Sequence, residues 1–235
     1  MNKLGIFVNF WEKKWAVDHR YYIDKVKSLG YDILEFQAQP LLEMSDGECR
    51  KIRKYAEERG IELSYSLGLN KKYDVASGDE EVRKGGVEYL KRIVEKIAVM
   101  EGELFSGVTF AGWGLPDHFV DEAEKRALFE RSAESMREVM KTAEKEGVTV
   151  CVEAVNRFES PLINTAEEAL RYADMVDSPN IGIHLDTYHM NIEENSIGEA
   201  IRKAGKRLRH FHTGENNRNI PGRGHIDWDE VFGAL

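Results

Sequence analysis

Six times along the chain, a charged amphipathic segment gives way to a short apolar run, usually with a glycine near the junction. The pairs read KVKSLG-YDILEF, YAEERG-IELSYS, KIAVMEG-ELFSGVTF, TAEKEG-VTVCVEA, ADMVDSPN-IGIHLD and IRKAGK-RLRHFH. Glycine suits the left-handed residue that closes a helix. The apolar runs are nearly continuous, as in parallel strands covered on both faces. With the opening LGIFV, the pattern predicts seven strands near 4–8, 32–36, 61–67, 104–110, 148–153, 181–186 and 208–213. Helices are expected near 18–29, 46–59, 80–100, 123–146, 165–176 and 196–205, and a last one from Asp227.

Such alternation argues for α/β architecture with a parallel sheet. No G-x-G-x-x-G follows the first strand, so a dinucleotide-binding sheet fits poorly. A (β/α)8 TIM barrel fits better, but it needs eight units over about 250 residues. The last predicted helix runs into the closing WDEVFGAL. The expected fold is therefore a (β/α)8 TIM barrel without its eighth βα unit. No Pro/Gly/Ser-rich linker divides the chain, so residues 1–235 are expected to form one barrel domain, incomplete at its C-terminus.

Composition narrows the function without naming it. The chain is 42% hydrophobic and 32% charged, with a net charge of -9. Nonspecific nucleic-acid binding needs a basic surface, so a polyanion partner is disfavoured. Cys49 and Cys151 match neither a disulfide framework nor a zinc spacing. Two free thiols in a reducing cytosol is the expectation, and with it a cytoplasmic location. Glu12 interrupts the apolar N-terminal run, which lacks a small-residue cleavage site, so no signal peptide is expected. No stretch approaches the length of a membrane span.

Active sites of such barrels lie at the C-terminal ends of the strands. Those ends carry Glu35, Ser66, Phe110 to Trp113, Glu153, Asp186 and His212. Side chains alternate along a strand, so Glu153 shares its face with Cys151, Asp186 with His184, and His212 with His210. Three consecutive strands thus aim two carboxylates and an imidazole at one point. That donor set suits a hard or borderline divalent ion such as Mn²⁺, Mg²⁺ or Co²⁺. A lone acidic residue at a strand end is usually a helix cap or a loop hydrogen-bonder. Three on adjacent strands favour a site. His184 and His210 lie a layer deeper and are expected to be packed, hydrogen-bonded core residues. Glu35 stands alone on its strand and is expected to be structural or to support the site from behind.

EAVNRFES (153–160), LDTYHMNIEE (185–194), HFHTGENNR (210–218) and PGRGHIDW (221–228) closely resemble the D-tagatose 3-epimerase and D-psicose (D-allulose) 3-epimerase family. That family lies in the xylose isomerase-like TIM barrel superfamily. GLNKKYDVAS (68–77) and the GVTF…W stretch (107–113) look like its tagatose-epimerase branch, and the resemblance runs from Met1 to Leu235. It implies a metal-dependent isomerase that interconverts C3 epimers of ketohexoses (D-tagatose with D-sorbose, D-fructose with D-psicose) by moving a proton through an enediolate. By that resemblance Glu153, Asp186 and His212 are metal ligands, with Mn²⁺ foremost and Co²⁺ or Mg²⁺ as alternatives. Glu159, His189 and Arg218 match residues that hold the ketose around O1 to O3. Phe7, Trp15 and Trp113 match apolar walls of the sugar pocket, although ordinary packing is equally open for Trp15. Gln37 and Ser66 occupy pocket positions that vary. The expected partner is a small-molecule ketose, with no nucleic acid and no membrane, in a homodimer or homotetramer.

Inverting C3 needs a proton carrier on each face of the carbon. Glu153 resembles one of the pair. The family's second glutamate, also its fourth ligand, lies on an eighth strand that these 235 residues do not include. Three rival readings follow: another sugar isomerase of the superfamily, a metal-dependent abasic-site endonuclease, and a noncatalytic metal- or sugar-binding truncated barrel. The NRFE and HMN strings count against the first and the net charge against the second.

Overall fold

The computed structural model describes residues 2–235. Its frame is one sheet of seven strands in chain order. These are β1 (Gly5–Phe7), β2 (Ile33–Gln37), β3 (Glu62–Gly68), β4 (Leu104–Val108), β5 (Thr149–Ala154), β6 (Ile181–Asp186) and β7 (Leu208–His212). Every neighbouring pair is parallel. The connecting helices are α1 (His19–Leu29), α2 (Asp46–Glu57), α3 (Glu80–Val99), α4 (Glu122–Glu146), α5 (Ala166–Val176), α6 (Thr187–Glu193), α7 (Ile197–Ala204) and α8 (Trp228–Ala234). All seven expected strands are present, as the TIM barrel reading requires. Among the described residues no ladder joins β7 to β1. A cleft of about 1050 Å³ lies there instead, bordered by Ile6, Leu208, His210 and Phe232.

Local sequence explains most element boundaries. Asp18, Asp121 and Thr165 cap α1, α4 and α5 by accepting first-turn backbone N–H bonds. Ser45 and Glu48 close a reciprocal capping box on α2. Gly30 and Gly147 end α1 and α4 in the left-handed region, at φ 81° and 71°. The MEG junction departs from the expectation: Glu101 takes the left-handed turn at φ 50°. Gly102 serves close packing instead, since a Cβ there would lie 2.7 Å from the Tyr65 ring.

The core fills the layer between sheet and helices, where Ile23, Leu34, Phe105, Val150 and Ile183 are fully buried. Burying such a side chain contributes roughly 1.5–3 kcal/mol. The barrel interior is more polar. Glu35 and His184 are buried there. Both cysteines are buried and unpaired. Among the described residues no helix is long and apolar enough to cross a membrane.

Two segments differ from expectation. β4 stops at Val108 rather than near 110, because the backbone N–H of Trp113 bonds back to the Leu69 carbonyl and turns 109–113 into a loop. Residues 187–193, expected as polar groups following a strand, form α6. Asp186 caps that helix by accepting from the Tyr188 N–H.

Candidate active site

The ends of β5, β6 and β7 bring Glu153, Asp186 and His212 together, each offering a donor atom within 4.8 Å of the others. The register aligns them, pairing Asp186 with His212 and Glu153 with His184. They lie on the wall of a cleft of about 770 Å³ that also takes in Phe7, Ser66, Trp113, Glu159, His189 and Arg218. Of the residues expected in a sugar pocket, Trp15 alone does not line this cleft; it lies half-buried in the loop before α1.

Each member of the cluster is held differently. Asp186 accepts from Tyr188 N–H through Oδ1 and from the Arg218 guanidinium through Oδ2, both at 2.8 Å. Glu153 is the less satisfied carboxylate: its nearest imidazole nitrogens are His184 Nδ1 at 3.6 Å and His189 Nε2 at 3.8 Å. Burial pushes its carboxyl up to about 8, against the pull of His212. Burial opposes the charge on His212 as well, but Glu35, Asp186 and Glu153 outweigh it and raise the imidazole to about 9.

Glu35 does not stand alone. Its Oε2 lies 2.6 Å from His210 Nε2 and 3.2 Å from His212 Nε2, linking β2 to β7 across the barrel. A carboxylate oxygen shared in this way favours the Nε2–H form of His212 and leaves Nδ1 facing Asp186 Oδ2 at 4.0 Å. Phe7 stacks on the His212 ring at 6.0 Å and fixes its plane from the other side. His184 corrects an expectation. It is fully buried, yet neither ring nitrogen has a hydrogen-bond partner. Glu153 is just beyond bonding distance, and its other close neighbours are the His210 and His212 rings, at 4.6 and 4.2 Å between centroids.

The donors fit a divalent cation. Two carboxylates and an imidazole are an oxygen-rich set. One of those carboxylates, Glu153, is mostly buried without a hydrogen-bonded cation of its own, and a divalent charge would satisfy it.

The opposite wall is a hydrogen-bonded group. Trp113 Nε1 donates to Glu159 Oε2 at 3.2 Å, and Asn156 Nδ2 donates to Glu159 Oε1 at 3.1 Å. Gly68 makes room for that indole, since a Cβ there would come within 2.5 Å of Trp113 Cε3. The Arg218 guanidinium lies 3.7 Å above the Tyr188 ring. Its loop winds around Glu215, a fully buried carboxylate that accepts from the Trp228 indole at 2.7 Å and the Gly222 N–H at 2.8 Å. Asn156, Tyr188 and Glu215 receive no role from the sequence; the NRFE, TYHMN and TGENNR strings that contain them were the available signal. The other polar groups after β6 do structural work. Glu193 binds Arg157, Glu194 accepts from the Ala166 N–H, and Asn191 meets His225.

Known proteins are similar to this chain over nearly its whole length. The family model described as xylose isomerase-like TIM barrel matches residues 23–235. A D-psicose 3-epimerase of Ruminiclostridium cellulolyticum is 42% identical over 233 residues, covering 99% of this chain and 79% of that protein. An L-ribulose 3-epimerase of Mesorhizobium japonicum is 35% identical, covering 100% of this chain and 77% of its own. A crystal structure of D-psicose 3-epimerase with D-tagatose from Clostridium cellulolyticum superposes with a TM-score of 0.95 at 42% identity, covering 100% of this chain and 80% of that one. The chain belongs to the xylose isomerase-like TIM barrel family, in its D-psicose/D-tagatose 3-epimerase branch, and is an isomerase.

Proposed function

We propose that this protein is a metal-dependent ketose 3-epimerase of the cytoplasm, built on one barrel domain and assembled as a homo-oligomer. It would interconvert D-fructose with D-psicose and D-tagatose with D-sorbose. The observation that carries the reading is the convergence of Glu153, Asp186 and His212 beside a wall of hydrogen-bonding groups suited to a polyol.

Glu153, Asp186 and His212 would hold the cation, Mn²⁺ foremost and Co²⁺ or Mg²⁺ as alternatives. When bound, the cation would polarise the ketose carbonyl and so acidify the neighbouring C3–H. Glu153 is the base that takes the C3 proton: its carboxylate faces the cleft, accepts no hydrogen bond from a neighbouring side chain and stands among the cation ligands. His189, Glu159 and Arg218 hold the O1-to-O3 end of the sugar, and Phe7 and Trp113 exclude water from its apolar faces. Ser66 lines the same cleft and is the candidate partner for the distal hydroxyls.

A second reading, ketose binding without turnover, has its own support. Among the described residues the acidic groups lining the cleft are Glu153, Glu159 and Asp186. Glu159 and Asp186 already accept hydrogen bonds from cleft side chains. One carboxylate is left to carry protons, whereas inversion needs a carrier on each face. Incubation with D-fructose or D-tagatose and Mn²⁺ separates the readings. C3 epimers in the product support the epimerase, bound but unchanged sugar supports the second reading, and absence of binding defeats both.

Arg218→Lys is expected to weaken ketose binding about tenfold or more while Mn²⁺ affinity stays nearly intact. Lysine keeps a positive charge beside Asp186 but loses the planar fork and the stack on Tyr188. Titrating the variant with Mn²⁺ and then with D-tagatose checks both halves. Loss of metal in Arg218→Lys would assign the guanidinium to holding Asp186 instead of the sugar.

A further inference from the structure

Asn156 lies just past the end of β5, 1% exposed, and meets two of the proposed sugar-binding residues at once. Its side-chain oxygen accepts from the Phe158 N–H at 3.0 Å. That bond orients the amide, so Nδ2 faces Glu159 Oε1 at 3.1 Å and His189 Nδ1 at 2.7 Å. Glu159 is a carboxylate and can only accept, which agrees with the same orientation.

The backbone adds a constraint that no side-chain flip can reverse. The Asn156 backbone N–H also points at His189 Nδ1, at 3.1 Å. Two donors therefore converge on one ring nitrogen. Nδ1 must offer its lone pair, so the ring hydrogen sits on Nε2. Nε2 lies 3.8 Å from Glu153 Oε1 and 3.2 Å from Arg218 Nη2. Arg218 can only donate, so with the hydrogen on Nε2 the two groups meet donor to donor. The two donors at Nδ1, one of them fixed backbone, outweigh this one, and an acceptor from the cleft that takes the Nε2 hydrogen relieves the contact. The open direction is the cleft, which His189 and Arg218 both line.

We infer that Asn156 is the positioning residue of the sugar end of the site: it fixes His189 as an Nε2–H donor and, through the same amide, holds Glu159 as an acceptor. It presets one donor and one acceptor about the ligand before the ligand arrives. Such preorganisation raises affinity by cutting the ordering cost of binding. The proposal rests on the ketose reading for the identity of the ligand, but not for the state of the imidazole.

The experiment therefore has two arms. In the first, nitrogen-15 resonances of histidine-labelled, ligand-free protein report the tautomer of His189, assigned by comparison with His189→Gln. The expected result is an Nε2–H ring in the parent and in Asn156→Ala, which retains the backbone donor. In Asn156→Asp, a carboxylate replaces the Nδ2 donor beside Nδ1, and the spectrum is expected to move away from a pure Nε2–H form. In the second arm, Mn²⁺-loaded protein is titrated with D-tagatose. Asn156→Ala is expected to bind several-fold more weakly through the freed Glu159, and Asn156→Asp at least tenfold more weakly, with Mn²⁺ affinity unchanged in both. Thermal melting of the metal-free variants identifies a purely structural role, which would lower melting and binding together while leaving the tautomer alone. An Nδ1–H ring in the parent, or parent-like D-tagatose affinity in Asn156→Asp, overturns the inference. If the parent binds no D-tagatose, the ketose reading fails by itself and the tautomer arm still decides the role of Asn156.

Discussion

Cation affinity is expected to climb steeply from pH 6.5 to 9 and to collapse in Asp186→Asn. Without a metal, Glu153 is pushed up to about 8, chiefly by burial. The surrounding carboxylates raise His212 to about 9 against its burial. Both groups therefore carry protons at neutral pH, and a cation must displace them to reach its ligands. The sign follows: protons compete, so lowering the pH weakens binding and raising it strengthens binding. With two protons released, the apparent dissociation constant falls by up to about 100-fold per pH unit below 8. The slope lessens once Glu153 has lost its proton and vanishes above about 9. Calorimetry in two buffers of different ionisation enthalpy counts the protons directly. Asp186→Asn replaces an anionic donor with a weaker neutral amide oxygen and His212→Ala removes a donor, and each should lower affinity beyond the 10–100-fold typical of supporting partners. Flat pH dependence with unchanged metal content in both variants would place the cation elsewhere.

The convergence of Glu153, Asp186 and His212 was legible because each stands at the end of an expected strand, and the two-residue period of a strand fixes which side chains share a face. Helix bounds fell near expectation because local residues set them: Ser45 and Glu48 box the start of α2, and Asp18 caps α1. What escaped was set by contacts remote in sequence. Glu35 looked isolated because its partner His210 is 175 residues away. Asn156 reads as a turn residue until the fold brings His189, 33 residues on, against its amide. α6 was missed because Asp186 serves two purposes, and the sequence announced only the polar one. The side chains of α6 then divide by helical period: His189 turns inward, while Asn191 and Glu193 tie down neighbouring loops. His184 had been expected to find a partner, but only the fold shows it walled in by two other imidazoles.

Glu153→Gln is expected to abolish exchange of the ketose C3 hydrogen with solvent while leaving the sugar bound. Glutamine keeps the size of the side chain and its ability to donate or accept hydrogen bonds, but it cannot take a proton. Positioned acid–base groups contribute about 10²–10⁴-fold to rate, so exchange should fall by that factor or more. Exchange is a sharper measurement than epimer formation for this protein. A single carboxylate on one face can remove the C3 hydrogen and return a deuteron to the same face, without inversion. D-tagatose in deuterium oxide with Mn²⁺ is therefore expected to gain deuterium at C3, whether or not D-sorbose accumulates. Deuterium with inversion means that a second carrier works on the far face, and deuterium without inversion means that Glu153 acts alone. Because Glu153 is also a proposed cation ligand, Mn²⁺ must be raised to saturate the variant before rates are compared; a neutral amide oxygen is a weaker donor than a carboxylate. Glu159→Gln supplies the contrast, since its Trp113 and Asn156 contacts place it on the sugar-holding wall. That variant should bind D-tagatose more weakly yet still exchange at saturation. Exchange at the parent rate in metal-saturated Glu153→Gln would move the base to another residue and end the assignment made here.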